Sequence, residues 1–374
     1  MASTEHILLQ LVRAALWQRE PETDGLPLDE AEWSELHFMA HKQTVQGIVY
    51  DALCQLPEHL LPPADLLIQW MREVQALEAT HQQHIRALAW TTTRIEAESA
   101  LRPIVLKGLP LATLYPTPAH RVSGDIDLYY GSAAAATEAD SLVESWGQCV
   151  NRGEQGESLY MVSDVPIEHH AHLMLSHVPW RRQRLNALTE RTLALGGATR
   201  ELMVGEMPVR VLSPELDMVQ LSAHNLKHSL NEGIGLRQLS DLALFVSHNR
   251  EALRQAPLRQ LLGRYGLRRW TDLCLAYCAT HLGLSAHHLP YPIKASRHMV
   301  EAMHREVMQS GNFGKMDHRY ARSPEGNAKA TAHRVTLNVW RYFRLSPLES
   351  LCWYTGLIAR RAKESITGKP EKPE

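Results

Sequence analysis

The chain has 374 residues, 44% of them hydrophobic and 21% charged, and its formal net charge is -2. At this length the composition is typical of a soluble globular protein of two or three domains. The near-neutral charge excludes a global basic field of the kind that drives nonspecific nucleic-acid binding.

Targeting signals and disulfides are not indicated by the sequence. It contains no apolar run of about 20 residues, the length that crosses a bilayer, and residues 1–6 lack the basic start and apolar core of a signal peptide. We therefore expect a cytoplasmic protein. The odd number and scattered positions of the cysteines argue against a disulfide framework. They are Cys54, Cys149, Cys274, Cys278 and Cys352.

The first 100 residues predict helices. Apolar residues recur at helical spacing from Leu8 to Ala15, and acidic residues open a second helix at Asp29. After a proline pair, residues 64 to about 100 predict one long helix. We expect this N-terminal region to brace a sheet that follows it.

A β-branched apolar run beginning at Ile104 predicts a short buried strand. The run ends at Lys107 and Gly108, and Pro110 fits the first turn of a helix whose apolar spacing continues to Tyr115. A strand, a glycine turn and a helix in this order aim backbone N–H groups at an anion, beside the Lys107 ammonium. This arrangement predicts a triphosphate site.

The next strand signal, at residues 121–130, contains Asp125 and Asp127. Residues two apart on a strand point the same way, so the two carboxylates converge while Ile126 and Leu128 face the opposite layer. Paired carboxylates suit a hard divalent cation that shares its remaining positions with water and phosphate oxygens. The pair therefore indicates nucleotide chemistry.

A third strand with alternating character is predicted at residues 165–173. Its apolar side includes Ile167 and His169, whereas Glu168, His170 and His172 share the other side. A carboxylate and two imidazoles are thus expected on one face.

These motifs resemble the nucleotidyltransferase superfamily of DNA polymerase beta-like fold, in which a glycine turn precedes an Asp-x-Asp strand and a third acid lies on a later strand. The resemblance is closest to a bacterial uncharacterised nucleotidyltransferase family with a Lys-Gly turn, an Arg-x-x-x-Asp-x-Asp-Leu strand and an acid-x-His strand. AbiEii-type toxins share the first two elements. The matching residues are Leu106-Lys107-Gly108, Tyr115-Pro116, Arg121 to Leu128, Glu168-His169-His170, His224, His228, Leu236, Arg237, Asp241 and Leu242.

The resemblance implies a metal-binding role for three acids. Asp125 and Asp127 bind Mg²⁺, or Mn²⁺, that bridges the triphosphate oxygens. Glu168 completes a second metal site or acts as base on the acceptor hydroxyl. The family more often has Asp at the position of Glu168.

The resemblance also implies a phosphate-binding set. Gly108 lets the backbone approach the phosphates, and Lys107 with Arg121 or Ser123 neutralises them or donates hydrogen bonds to them. For Arg121 the alternative is an ion pair with an aspartate that holds the strand. His170 matches the family's recurring histidine and is expected at the nucleotide site.

His224 and His228, four residues apart, share a helix face as zinc ligands often do. The glutamate of the metalloprotease motif is absent, since Asn225 follows the first histidine. The preferred interpretation is that the pair lines the nucleotide or acceptor cleft with Lys227 and Arg237. A zinc site and a pair of structural histidines are the competing interpretations.

The C-terminal part carries a basic stretch interleaved with aromatic residues. Its sequence suits an amphipathic helix packed on the preceding domain, or a surface that contacts RNA, an anionic carrier or a membrane. The packed helix is preferred. The basic residues are Arg334, Arg341, Arg344, Arg360, Arg361 and Lys363.

Together these signals predict an α+β fold. A small mixed β-sheet nucleotidyltransferase core at 101–214 is flanked by helical regions at 1–100 and 215–374. The predicted activity is metal-dependent transfer of a nucleoside monophosphate from a triphosphate to a hydroxyl-bearing acceptor, which is a small molecule, a saccharide or a protein, with release of pyrophosphate. The alternatives are a toxin-like enzyme acting on a tRNA end, which the near-neutral charge disfavours, and a non-catalytic nucleotide-binding or scaffold protein.

Overall fold

The computed structural model describes residues 3–153, 156–173, 176–314, 336–337 and 339–367. A small mixed sheet, formed by the middle of the chain, lies between helices that precede and follow it in sequence. This is the α+β class predicted from the sequence.

Four helices form the N-terminal part. The second of them begins with a capping box, in which the Asp29 carboxylate accepts a hydrogen bond from the Glu32 N–H and the Glu32 carboxylate accepts one from the Asp29 N–H. The predicted long helix is present. The helices are α1 (Thr4–Trp17), α2 (Glu30–Lys42), α3 (Gln46–Leu53) and α4 (Ala64–Glu98).

The main sheet has five strands in the order β1-β2-β5-β4-β3. Its central pair, β2 and β5, is parallel, and the other neighbouring strands are antiparallel. Two further strands form a separate hairpin. The strands are β1 (Ile104–Leu106), β2 (Ile126–Tyr129), β3 (Asn151–Arg152), β4 (Glu157–Val162), β5 (Val165–His170), β6 (Thr199–Val204) and β7 (Met207–Leu212).

The two faces of the central strands have different surroundings. On one face Ile126, Leu128 and Ile167 belong to a hydrophobic cluster that includes Leu88 of α4 and Val143 of helix α6 (Ala133–Ser145). Because side chains alternate along a strand, Asp127, Glu168 and His170 lie on the opposite face. Apolar packing on one side therefore fixes the direction of the polar groups on the other.

The helices that follow the sheet share a hydrophobic cluster with the N-terminal helices. The Trp17 indole N–H donates to the Leu282 carbonyl over 2.6 Å, and His304 Nε2 lies 2.7 Å from Glu5 Oε1. The two helical regions therefore pack into one core, and the boundaries at 100 and 214 stay predictions. These helices are α7 (Pro179–Ala194), α8 (Pro214–Asn231), α9 (Leu236–His248), α10 (Arg250–Gln255), α11 (Leu258–Arg264), α12 (Arg268–His281), α13 (Arg297–Ser310) and α14 (Pro347–Thr367).

Two predicted boundaries differ from the structure. Helix α5 (Gly108–Ala112) ends before Tyr115, whose hydroxyl donates to Asp241 instead. Strand β5 ends at His170 rather than residue 173, because β2 ends and β4 begins at the residues that pair with His170. Beyond that position one further backbone hydrogen bond joins the β4 and β5 segments, from the Ala171 N–H to the Gly156 carbonyl oxygen over 2.8 Å.

In the C-terminal basic stretch, Arg341 Nη1 lies 2.6 Å from Glu306 Oε2 of α13. Tyr342 and Trp353 are buried. Both observations favour the packed helix, while Arg334 lies outside the described residues. None of the helices in the described ranges is long and apolar enough to span a bilayer.

Candidate active site

Parallel pairing of β2 with β5 brings three polar side chains together. The register places Asp127 beside Glu168 and Tyr129 beside His170. One carboxylate oxygen of Asp127, one of Glu168 and one ring nitrogen of His170 all lie within 4.8 Å of one another. Residues from two separate segments of the sequence thus form one cluster of potential metal ligands.

Two cationic or hydrogen-bonding groups hold Asp127, which is only 1% exposed. Lys107 Nζ lies 2.9 Å from its Oδ1, and His170 Nε2 lies 2.7 Å from the same oxygen. Burial alone raises the pKa of a carboxyl, but the Lys107 charge and the His170 hydrogen bond outweigh it and hold the pKa of Asp127 well below its ordinary value. Asp127 is therefore ionised at neutral pH.

The Lys-Gly turn positions the Lys107 ammonium beside Asp127. Antiparallel pairing sets Leu106 beside Asp127, so Lys107 follows directly at the end of β1. The backbone of Lys107 has φ of 46°, a region that L-residues rarely occupy. Gly108 has φ of 30°, and a Cβ there would lie 3.3 Å from the Asp125 carbonyl oxygen. Glycine thus permits the close approach of the turn to the Asp-x-Asp segment, and the Lys107 backbone is in a strained region.

Glu168 has the most unusual electrostatic environment among the three acids. Its side chain is 28% exposed. Burial, followed by the charges of Asp125 and Asp127, raises the pKa of Glu168 to about 7. A carboxyl with that pKa exchanges protons readily at neutral pH, as a general base must.

Asp125 immediately precedes β2 and lies outside the cluster formed by Asp127, Glu168 and His170. The group of potential ligands in the structure therefore contains His170 in addition to the predicted Asp127 and Glu168. The metal-binding roles of Asp125, Asp127 and Glu168 stay predictions. Asp125 still acts through its charge, which raises the pKa of both Glu168 and Lys107.

Arg121 forms the aspartate pair that was the alternative expectation. Its Nε and Nη2 donate to the two carboxylate oxygens of Asp241 over 2.7 and 2.8 Å, and the residue is 3% exposed. A contact between Arg121 and phosphate stays a prediction. The hydroxyl oxygen of Ser123 is buried with no hydrogen-bond partner among the described residues.

His224 and His228 line the site from helix α8. Their ring centroids are 4.3 Å apart, and His224 Nδ1 lies 3.4 Å from Lys107 Nζ. Burial, followed by the nearby Lys107 charge, lowers the pKa of His224 well below its ordinary value, and burial also lowers that of His228. Within the described ranges neither histidine belongs to a group of three potential metal ligands. The cleft-lining interpretation is favoured over zinc.

Arg237 of α9 is a buried cation with unused hydrogen-bonding capacity. Its side chain is 13% exposed, Nη1 lies 3.7 Å from Asp241 Oδ2, and Nε has no hydrogen-bond partner in the part of the chain described. Burial and the neighbouring Arg121 charge lower its pKa. An anion beside this guanidinium would satisfy both its charge and its free N–H.

The residues of the cluster fit a divalent cation. The acids Asp125, Asp127 and Glu168 all act on a single lysine ammonium, Lys107, so their formal charges exceed its charge. Carboxylate oxygens suit Mg²⁺, and the His170 nitrogen makes Mn²⁺ an equally suitable ion.

Sequence reasoning missed two neighbours of the site. His84 of α4 has Nε2 2.6 Å from the Gly124 carbonyl oxygen and so holds the loop before Asp125. The Phe313 ring lies 4.5 Å from that of His228 and 5.7 Å from the Arg237 guanidinium carbon. Neither has a local signal, because each is far in sequence from the residues that it contacts.

Comparison with known proteins identifies the family of the chain. A family described as "Uncharacterised nucleotidyltransferase" matches residues 29–283, more than half of the chain. The chain belongs to this family. A search of curated proteins finds no match. Among solved structures, the chain is similar to an antigenic nucleotidyltransferase-like protein from Paracoccidioides brasiliensis, with 12% identity over 57% of this chain and 92% of that one. The TM-score is 0.29.

Proposed function

We propose that the protein transfers a nucleoside monophosphate from a nucleoside triphosphate to a hydroxyl-bearing acceptor and releases pyrophosphate, in a reaction that needs Mg²⁺ or Mn²⁺. The observation that carries the proposal is the pairing of ionised Asp127 with the raised-pKa Glu168 on adjacent parallel strands. Family membership supports the same class of reaction.

The residues have distinct roles in this proposal. Asp127, with Asp125 beside it, would hold the cation, which would supply charge neutralisation of the phosphate oxygens, while Glu168 serves as the base. Lys107 and Arg237 bind the phosphates as cations, and His170 fixes the orientation of the Asp127 carboxylate through its 2.7 Å contact.

The chemical step needs no covalent intermediate on the protein. The acceptor oxygen forms a bond to the α-phosphorus while the bond from that phosphorus to the bridging oxygen breaks. Glu168 accepts the acceptor's hydroxyl proton, and the electron pair of the broken bond leaves with pyrophosphate. The acceptor is a small molecule, a saccharide or a protein, because the near-neutral net charge does not favour RNA.

The test is an incubation of the purified chain with each of the four α-labelled triphosphates, Mg²⁺ or Mn²⁺, and a cell extract. Pyrophosphate release and mass spectrometry then identify the base and the acceptor together. We expect Glu168→Gln to abolish label transfer. The matched control is Asp164→Asn, because Asp164 is exposed in the β4–β5 turn and asparagine tolerates its φ of 66°.

The outcomes separate the candidate functions. Triphosphate binding without pyrophosphate release, under every acceptor tested, would identify a non-catalytic nucleotide-binding protein. Label on tRNA alone would favour the toxin-like activity, and release of a nucleoside diphosphate would identify a phosphotransferase.

A further inference from the structure

A second cluster of potential metal ligands joins helices α2 and α4, away from the strands that carry Asp127. His37 Nε2 lies 2.8 Å and His41 Nε2 2.7 Å from the same oxygen, Oε2 of Glu73. The two histidines are four residues apart on α2, so their rings share one face of the helix. Among the described residues this is one of two such groups of three.

The geometry points to a binding site for Zn²⁺, or a related first-row transition-metal ion, on His37, His41 and Glu73. Two imidazole nitrogens and one carboxylate oxygen are the ligand types of three-ligand zinc sites, which leave the fourth position to water. The side chains are 12, 29 and 26% exposed, so water reaches the cluster. Nitrogen ligands also favour Zn²⁺ over Mg²⁺.

The surroundings hold the ligands in place. Gln69 Nε2 donates over 2.9 Å to Oε1 of Glu73, which leaves Oε2 directed at the two rings. The His37 ring packs edge-on against the indole of Trp70, with centroids 4.8 Å apart. Trp70 is fully buried and donates to the Gln46 carbonyl oxygen. Such outer contacts orient metal ligands before an ion arrives.

The expected role is structural, because the ion would tie α2 to the helix that supports the candidate active site. Glu73 and His84 lie on the same helix, 11 residues or roughly 16 Å apart. Glu78, between them, has Oε1 3.1 Å from His120 Nε2, next to Arg121 in sequence. An ion at Glu73 would therefore stabilise the start of α4 without contacting substrate.

The first test is metal titration of the full chain in an Asp127→Asn background, which removes a ligand from the other three-ligand group. After treatment with a chelator, the protein is titrated with Zn²⁺ by calorimetry and with Co²⁺ by visible absorption. We expect one equivalent to bind, with a four-coordinate Co²⁺ spectrum. His41→Gln and Glu73→Gln should each lower the affinity at least about tenfold.

The matched control is His59→Gln, since His59 is an exposed histidine outside both groups. It should leave the affinity unchanged. Zn²⁺ should also raise the unfolding temperature of the Asp127→Asn protein, with reversal by chelator, and should not do so once His41→Gln is added. Absence of stoichiometric binding, or equal affinity in the His41→Gln and His59→Gln proteins, would overturn the proposal and leave the trio as a hydrogen-bonded cluster. Neither result depends on nucleotide transfer.

Discussion

Two buried aspartates, Asp127 and Asp241, show how this chain distinguishes a structural carboxylate from a chemical one. Both oxygens of Asp241 accept hydrogen bonds from Arg121, and Tyr115 donates to one of them. Asp127 has Lys107 and His170 on a single oxygen and a second acid, Glu168, directly beside it on the next strand. The Asp241 charge is balanced inside the fold, whereas the Asp127 cluster keeps an excess of negative charge.

We therefore expect substitutions of Asp241 and Asp127 to have different effects. Changing Asp241 should affect folding, because its hydrogen-bond partners are left unpaired in the core. Changing Asp127 should remove activity in addition to lowering stability, because its carboxylate is both a potential metal ligand and the partner of the Lys107 ammonium.

The largest expected effect is on activity. Asp127→Asn should lower nucleotide transfer by about a thousandfold or more, since the cation loses a charged ligand. The unfolding free energy should fall as well, because the buried Lys107 ammonium loses its paired carboxylate, although asparagine still accepts from His170. Initial rates and urea denaturation measure the two quantities, and transfer at the wild-type rate would contradict the metal-site assignment.

The second-largest expected effect is on stability. Arg121→Met should lower the unfolding free energy by about 3 kcal/mol, because buried Asp241 loses its bidentate partner and keeps only the Tyr115 hydroxyl and the more distant Arg237. The double variant Arg121→Met, Asp241→Leu should recover most of the loss. If Arg121→Met instead removed activity at unchanged stability, Arg121 would act on phosphate after all.

A third buried aspartate sharpens the comparison. Asp217 of α8 is 6% exposed, and burial, opposed only in part by the Arg200 charge, raises its pKa to about 7. Because the folded-state pKa lies above the unfolded value, the folded state binds more protons, and stability falls as pH rises from about 4 to 7. Asp217→Asn should therefore stabilise the protein by about 3 kcal/mol at pH 8 and hardly at pH 4. Denaturation at both pH values measures this, and an equal effect at both would show that the carboxyl is ionised throughout.

The sequence predicts the parts of the site that depend on local pattern. Apolar runs and alternation locate the strands that carry Asp127 and Glu168, and the Lys-Gly turn places Lys107 at a strand end. These residues do come together, because strand pairing needs only that hydrophobic faces match. The metal ion and the roles of the residues stay predictions.

Long-range contacts could not be predicted in the same way. The partner of Arg121 is 120 positions away, and the alternation of the strand leaves open whether an arginine meets a phosphate or an aspartate. The boundary of β2 also differs from the prediction, since the strand starts at Ile126 and Asp125 precedes it. His37, His41 and Glu73 show the same limit, because the third ligand is on another helix.

The smallest expected effect concerns the hydrogen bonds that the Asp241 carboxylate accepts. The Tyr115 hydroxyl donates to Asp241 Oδ1 over 2.7 Å, and burial, followed by the Asp241 charge, raises the pKa of Tyr115 well above its ordinary value, so it stays a donor. Tyr115→Phe removes one of the three hydrogen bonds that Asp241 accepts and should lower the unfolding free energy by about 1.5 kcal/mol. Thr192→Val, which removes an i to i-4 hydroxyl bond within α7, is the control and should cost less. If Tyr115→Phe lowered the unfolding free energy as much as Arg121→Met, the Tyr115 hydroxyl and not the Arg121 guanidinium would be the main partner of the Asp241 carboxylate.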